Sequence, residues 1–323
     1  MHPDLHISIV SYNTASLLDA CLDSLASGAG RASLAVTVVD NGSTDGSPEM
    51  VRSRYPQFHV VETGANIGYG AANNAALRGT NARYVMALNS DTVVQPGSLD
   101  ALVDFMDAHP EVGAAGAALI LPGGEPQRNW AVGELTLAGV VWEQTFLAKL
   151  LPRSKTFGDY FRADWPRDRD TLVPQACGAA LAIRAELFDK LGGFDPAIFM
   201  YAEDTDLCRR VRDCGSHVAF VAGARIVHHH GQSSAGSLRP AMIVEHNRSR
   251  IYYFAKHAGR AQALAARAVM AAGALLRALL WSALAAMGKK EAGRTASAFL
   301  DIAGATIVAR VPTVRRTAIG GRP

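Results

Sequence analysis

The sequence has no CxxC pair, no glycine-rich turn after its first strand and no internal repeat. Its four cysteines, Cys21, Cys177, Cys208 and Cys214, are scattered. That excludes a disulfide scaffold and leaves them as reduced structural thiols. The chain opens Met1-His2-Pro3-Asp4, without the basic run and long apolar stretch of a secretory leader, and is read as cytosolic. The first strand runs into "SYNTASLL", where a hydride-transferring dinucleotide enzyme would need GxGxxG. That class is therefore set aside. Acidic residues are scarce late in the chain. From Arg239 onward there are 14 Lys/Arg against 3 Asp/Glu, while the first 238 residues carry 18 against 26. A mildly acidic body and a basic tail point to two different environments.

What is present is a chain of 323 residues, 49% hydrophobic and 19% charged, long enough for a sizeable core. Strand and helix signals alternate over the first 120 residues. "LHISIVSY", "SLAVTVVD", "FHVVET", "ARYVMALNSD" and "VGAAGAALIL" read as strands. Helices are expected over 16–25, over "YGAANNAALRG" and from Pro96 to about His109. Residues 122–170 read as irregular, with a short helix near 135–149. The sheet resumes at "QACGAALAIR" and again at "HVAFVAGARIVHHHG", with a helix starting at Glu203, and the chain reads as helical from Ala241 to about Val308. This pattern predicts an α/β fold, a mostly parallel sheet flanked by helices with a helical C-terminal extension. The expected division is a nucleotide-binding and catalytic domain over 1–238 and a basic, Ala-rich region over 239–323. In such sheets ligands bind beyond the carboxyl ends of the strands.

The polar residues gather at those ends. The first strand finishes in Ser11-Tyr12-Asn13 and the second in Asp40-Asn41-Gly42-Ser43, where Asp40 can accept a hydrogen bond from a nucleobase or ribose. "GANIGYGAANNAA" brings Gly68 and Gly70 to a loop–helix junction, whose free N–H groups would favour phosphate. The fourth strand ends in Asn89-Ser90-Asp91, and a carboxylate there suits Mg²⁺ or Mn²⁺ shared with phosphates. "RIVHHHGQSS" ends a late strand, with alternation sending His228 and His230 to one face and His229 to the other. "FMYAEDTDLCRRVRDCG" crowds Glu203, Asp204 and Asp206 at a helix start, where the dipole favours negative charge. Asp206 and Arg210, spaced i,i+4, read as a helix-surface pair.

In this order, Asp40, Asn66–Gly70, Asp91, "GGFDPAIFMYAEDTDLCRRVR" and His228 resemble glycosyltransferase family 2, inverting enzymes of the GT-A fold, over roughly residues 6–235. "GGFD" with "VHHHGQSS" looks like the rhamnosyltransferase-type branch. The resemblance implies that Asp204 is the catalytic base with Glu203 its neighbour. It implies that Ser11, Asn13, Asp40, Asn41, Asn66, Gly68, Asn89 and Asp91 line the donor, and that Asp91 and His228 hold a divalent cation, Mg²⁺ or Mn²⁺. Asn89 stands where the usual DxD begins with Asp. The implied donor is a nucleotide-sugar, dTDP-rhamnose being favoured. The implied acceptor is a glycan or lipid-linked glycan, and nucleic acid is not an expected partner. A catalytically inactive nucleotide-sugar-binding scaffold is the alternative, which measured turnover would separate from an enzyme.

The tail segment 262–288 is strongly apolar, broken by Arg267 and Arg277. On one continuous helix Lys256, Arg260, Arg267 and Arg277 would form a basic stripe. That stripe favours an interfacial helix on the inner leaflet of the cytoplasmic membrane, holding the enzyme there peripherally. A packed helix hairpin and a true span are the alternatives.

Overall fold

The computed structural model describes residues 2–127, 131–162, 165, 167–229 and 240–310. In chain order the elements begin β1 (Leu5–Ser11), α1 (Ala15–Gly28), β2 (Leu34–Asp40), α2 (Ser47–Arg54), β3 (His59–Glu62), α3 (Tyr69–Leu77), β4 (Tyr84–Asn89), β5 (Thr92–Val94), α4 (Ser98–Ala108) and β6 (Val112–Ile120). They continue β7 (Ala131–Val132), α5 (Leu137–Gln144), α6 (Leu147–Leu150), β8 (Thr171–Leu172), β9 (Gln175–Ala176), β10 (Ala180–Arg184), α7 (Ala185–Lys190), α8 (Glu203–Asp213) and β11 (His217–His228). The chain then forms α9 (Pro240–His257), α10 (Arg260–Ala286) and α11 (Ala292–Val308). By its contacts it divides into two compact units, one built on the sheet with α1–α4, α7 and α8, the other on α5, α6 and α9–α11.

In the sheet unit the strand order is β3-β2-β1-β4-β10-β6-β11-β5, with β8 beside β11. The β1–β2, β2–β3, β1–β4 and β6–β11 pairs are parallel, whereas β10 runs antiparallel between β4 and β6. The central strands are nearly continuous apolar runs because helices cover both faces. In β4 every residue from Tyr84 to Leu88 is buried. Helix α1 buries Leu18, Cys21, Leu22 and Leu25, and α4 buries Leu99, Leu102, Val103 and Met106, each set spaced three and four apart. The chain order reverses at β1, whose neighbours are β2 and β4, and in open α/β sheets ligands bind beyond the strand ends at such a reversal. The register brings Ser11 opposite Asp40 and Val10 opposite Asn89, which lines up the polar strand ends.

In the helical unit, α9 and α10 are separate helices, broken at Gly259 with φ +87°. Leu135, Val140, Ile251, Tyr253, Phe254 and Met270 form its main core, and Ala274, Ile302 and Ala303 a smaller one. The structure corrects the expected basic stripe. Lys256 lies on α9, not α10. The Arg267 guanidinium donates to the carbonyls of Ile307 and Ala309 at the end of α11, where unpaired carbonyls attract a cation. Arg277 donates to Gln144 Oε1 and Gly273 O and lies over the Phe146 ring. The arginines that interrupt the apolar run serve packing, and α10 and α11 form a helical hairpin. The opposite face of α10 is apolar and exposed, with Leu264, Leu275, Leu276, Leu279, Leu280 and Met287.

Candidate active site

The helix carrying Glu203 and Asp204 is tied to the turn after α7. Arg210 Nε donates to Asp206 Oδ2 at 2.7 Å, and its Nη1 donates to the carbonyls of Leu191 and Gly193 at 3.1 and 2.9 Å. Asp206 is 0% exposed and the Arg210 side chain 4%. The expectation of a helix-surface pair is therefore corrected. The i,i+4 pairing is present, but the pair is buried and ties α8 to the turn after α7. Asn74 in α3 clamps the same turn, with its Nδ2 donating to Phe194 O and its Oδ1 accepting from Phe194 N–H, both at 2.8 Å. Just before α8, Tyr201 and Ala202 have φ of +67° and +66°. These left-handed conformations cost side-chain-bearing residues about 1–2 kcal/mol each, and such strain gathers at functional sites.

The Asp204 carboxylate is fixed by backbone. Its Oδ2 accepts from Gly178 N–H at 2.8 Å and its Oδ1 from Thr205 N–H at 2.7 Å. The carbonyl of Gly178 accepts from the Tyr69 hydroxyl at 2.8 Å. A Cβ at residue 178 would stand 3.1 Å from Asp204 Cβ, so glycine permits this close approach. Burial pushes the Asp204 carboxyl above its ordinary value, against the lowering effect of those N–H donors. Glu203 is pushed up to about 8 by burial and by the neighbouring Asp204. Its Oε2 is buried with no hydrogen-bond partner. Both carboxyls are thus held above their ordinary values, Glu203 the more clearly, and only that of Asp204 is held by backbone N–H donors.

The second cluster lies where β4 and β11 end. Asp91 Oδ1 is 3.2 Å from His228 Nε2, and Asn89 Nδ2 is 3.4 Å from the same nitrogen. His228 is 4% exposed, and its Nδ1 donates to Gln127 Oε1 at 2.7 Å. Asp91 O accepts from His229 N–H, so His228 is the described histidine whose ring faces the carboxylate, and His230 lies outside the described residues. Among the described residues no three His, Cys, Asp or Glu cluster to make a complete metal cage. A carboxylate, an imidazole and an amide do fit a hard cation whose remaining ligands come from a diphosphate and water. Residues 178 and 179 join the two clusters, since Gly178 N–H holds Asp204 while Ala179 O accepts from Asn89 N–H at 2.9 Å.

The remaining sequence-predicted residues lie at the ends of β1 and β2 and in the loop before α3. Asp40 Oδ2 accepts from Gly42 and Ser43 N–H, and its Oδ1 is buried without a hydrogen-bond partner. Asn41 Oδ1 accepts from Ile67 N–H, and its Nδ2 donates to Asn66 Oδ1. Asn13, with φ +55°, accepts from Thr44 N–H and so ties the first two strand ends together. The Ser11 hydroxyl bonds that of Thr14, which in turn bonds Ser90. Of the N–H groups expected to be open at the loop–helix junction, that of Gly68 is occupied, whereas Gly70 lies inside α3. Gly68 N–H donates to Asn66 Oδ1 and Tyr69 N–H to Phe199 O, so both are occupied. Gly68 itself is required twice over, by its φ of +90° and because a Cβ would lie 2.4 Å from Phe199 O. Reading along the chain did not find Gln127, Tyr69, Asn74 or Gly178. The nearest signal for Asn74 was the paired asparagine in "GAANNAA"; Gln127 carried none.

The profile of the family described as glycosyl transferase family 2 matches residues 7–192. The chain belongs to that family. It is 29% identical over 266 residues to the N-acetylglucosaminyl-diphospho-decaprenol L-rhamnosyltransferase of Mycobacterium tuberculosis, an alignment covering 79% of this chain and 85% of that one. It is also 29% identical over 241 residues to the O-antigen biosynthesis protein RfbC of Myxococcus xanthus, covering 74% of this chain and 18% of that one. The mannosyltransferase PcManGT from Pyrobaculum calidifontis, solved in complex with GDP-Man and Mn²⁺, matches with a TM-score of 0.55 at 19% identity, over 96% of this chain and 88% of that chain. That likeness shows the fold, which is GT-A. Membership of the family makes the protein a glycosyltransferase.

Proposed function

We propose that this glycosyltransferase moves rhamnose from dTDP-rhamnose onto a hydroxyl of a lipid-linked or growing cell-surface glycan, with inversion at the anomeric carbon. The observation that carries the reading is the pair of clusters joined through residues 178 and 179, one built to take a proton and the other to face a diphosphate. Asp204 accepts the proton of the acceptor hydroxyl as that oxygen attacks the anomeric carbon, a role that typically contributes about 10²–10⁴-fold. Burial raises its basicity, and the Gly178 and Thr205 N–H groups fix its direction. Asp91, His228 and Asn89 are the residues that would hold Mg²⁺ or Mn²⁺. When bound there, the ion supplies positive charge to the departing diphosphate. Asp40 Oδ1, unpaired and buried, is the acceptor for the donor's nucleoside; an unmet polar atom of this kind costs about 1–3 kcal/mol, which a nucleobase N–H would offset. Ser11, Asn13, Asn41, Asn66 and Gly68 shape the loops around it.

The mycobacterial relative is named for a GlcNAc-diphospho-polyprenol acceptor and a rhamnosyl donor, which supports the same classes here. The test is release of nucleoside diphosphate from dTDP-rhamnose, UDP-galactose, UDP-GlcNAc and GDP-mannose, with GlcNAc-diphospho-polyprenol as acceptor. Turnover with dTDP-rhamnose alone, abolished by EDTA and restored by Mg²⁺ or Mn²⁺, is expected. Preference for another donor overturns the sugar assignment, full activity after chelation overturns the cation, and absence of turnover with every donor favours a binding scaffold.

The proposed location is the inner face of the cytoplasmic membrane, held peripherally. The exposed leucine face of α10 supports it, with Lys289 and Lys290 exposed just beyond the helix end. Helix α10 also has the length and composition of a membrane span. Burial of that face in the headgroup boundary would add to roughly 1 kcal/mol per basic residue near anionic lipid. Flotation with anionic liposomes, lost in Leu275→Glu/Leu279→Glu and in carbonate, is expected. Failure of the unaltered chain to float with anionic or neutral vesicles refutes this location, and resistance to carbonate favours a span.

A further inference from the structure

We infer that Gln127 is a positioning residue that fixes the His228 ring for cation binding, an inference that rests on the proposed role of Asp91 and His228. The carbonyl oxygen of an amide side chain can only accept a hydrogen bond. With Gln127 Oε1 2.7 Å from Nδ1, the proton of the ring sits on Nδ1. That leaves Nε2, 3.2 Å from Asp91 Oδ1 and 3.4 Å from Asn89 Nδ2, as the ring nitrogen that would ligate a cation shared with the Asp91 carboxylate. A histidine that ligates through one nitrogen needs the other held in this way, and such partners typically change metal affinity by about 10–100-fold.

The fold delivers Gln127 by a tight return of the chain after β6. Leu121 N–H donates to Glu125 O and Gly124 N–H to Leu121 O, and Gly124 takes φ +84°. Pro126 bridges back to Ile120, and Gln127 N–H donates to Leu119 O. Leu119 and Ile120 pair with Ile226 and Val227, the two residues before His228. Gln127 is thereby anchored by its own backbone beside the strand that ends in the histidine. Both side chains are buried, at 5% and 4% exposure, so bulk water is a poor substitute for the amide oxygen. A Gln that merely satisfied a buried imidazole would be equally buried and equally bonded. What separates the two roles is whether its loss acts on the cation only through His228.

The experiment is Mn²⁺ titration of the full-length chain, with and without dTDP, followed by the electron paramagnetic resonance signal of free Mn²⁺. Gln127→Leu and the near-isosteric Gln127→Met are expected to weaken Mn²⁺ binding by about 10–100-fold. Gln127→Glu, which keeps an acceptor oxygen, should bind Mn²⁺ as tightly as the unaltered chain or more so. In a His228→Ala background, Gln127→Met should produce no further loss. Selective ¹⁵N labelling of histidine gives a readout independent of metal. The His228 resonances, identified by their absence in His228→Ala, should show a protonated Nδ1 in the unaltered chain and in Gln127→Glu, and a tautomer mixture in Gln127→Met. Unchanged Mn²⁺ affinity in Gln127→Met, or an equal loss with and without His228, overturns the inference while leaving the cation site standing. An unaltered chain that binds no Mn²⁺ in either condition overturns the cation reading, and this one with it.

Discussion

Glu203→Gln should make the protein's stability markedly less sensitive to alkaline pH. Glu203 has an ordinary value of 4.5 and is held at about 8 in the folded protein, by burial first and by Asp204 second. Between those values the folded chain keeps a proton that the unfolded chain has released. Stability therefore falls with rising pH by about 1.4 kcal/mol per unit for this one group. The stabilising proton linkage is fully present below pH 4.5, weakens through neutrality, and is exhausted once pH exceeds about 8. Across pH 6 to 8 the loss amounts to roughly 2–3 kcal/mol, a large fraction of a typical 5–15 kcal/mol stability. Glutamine has the same shape and does not titrate. It leaves a buried polar end much as Glu203 does, but any penalty from that end is independent of pH. The informative quantity is thus the slope and not the offset. Urea denaturation of both proteins at pH 6, 7, 8 and 9 should give curves that diverge by roughly 2–3 kcal/mol up to pH 8 and run nearly parallel beyond. Parallel curves over the whole range would mean that Glu203 is ionised at neutrality, and the upward shift of its carboxyl by burial would be refuted.

Three other substitutions separate chemistry from placement. Asp204→Asn keeps an oxygen for only one of the two backbone N–H donors and cannot accept a proton; kcat should fall at least about 10²-fold with donor affinity little changed, as single-turnover and binding measurements would show. Asp206→Asn leaves Arg210 buried beside a neutral partner; unfolding free energy should drop by about 3–5 kcal/mol while the folded fraction retains most of its kcat, and an unchanged denaturation midpoint would refute the buried pair. Asp91→Ala should weaken Mn²⁺ and donor binding together, and loss of kcat with both affinities intact would remove Asp91 from the diphosphate side.

Most of the sheet was legible because local patterns determine it. The β-branched and apolar runs of β1, β2, β4 and β6 identify strands without knowledge of their partners, and the spacing of buried residues in α1 and α4 identifies helices. β5 was not legible. It is three residues long, and its stabilising partners, Ile226–His228, are distant in sequence. Asp206 and Arg210 show the same limit within a helix. Periodicity gave their pairing, but their burial depends on the carbonyls of Leu191 and Gly193 arriving from another turn. In the tail, periodicity gave the angles of Arg267 and Arg277 but not the carbonyls awaiting them on α11 and at Gln144. Gln127 sits between Pro126 and Arg128 in a stretch without periodic pattern, and only the β6–β11 register places it against His228.

These cases share a physical origin that bears on how the site works. The chemistry proposed here calls on a carboxylate, a histidine and an acidic strand end, residue types that stand out in a sequence. Holding them requires backbone donors and neutral side chains, which do not. Asp204 is aimed by Gly178, which is in turn held by the Tyr69 hydroxyl. Asn89 is aimed by Ala179, the next residue. The two clusters proposed to accept the proton and to face the diphosphate are thereby both held by one short run of chain entering β10, the antiparallel strand inserted between β4 and β6. A parallel sheet alone would bring Asp40 and Asn89 to one edge. The chain leading into the inserted strand also carries the Gly178 N–H that holds Asp204, the base proposed here, so the antiparallel departure from a simple parallel sheet bears on the arrangement of the proposed site.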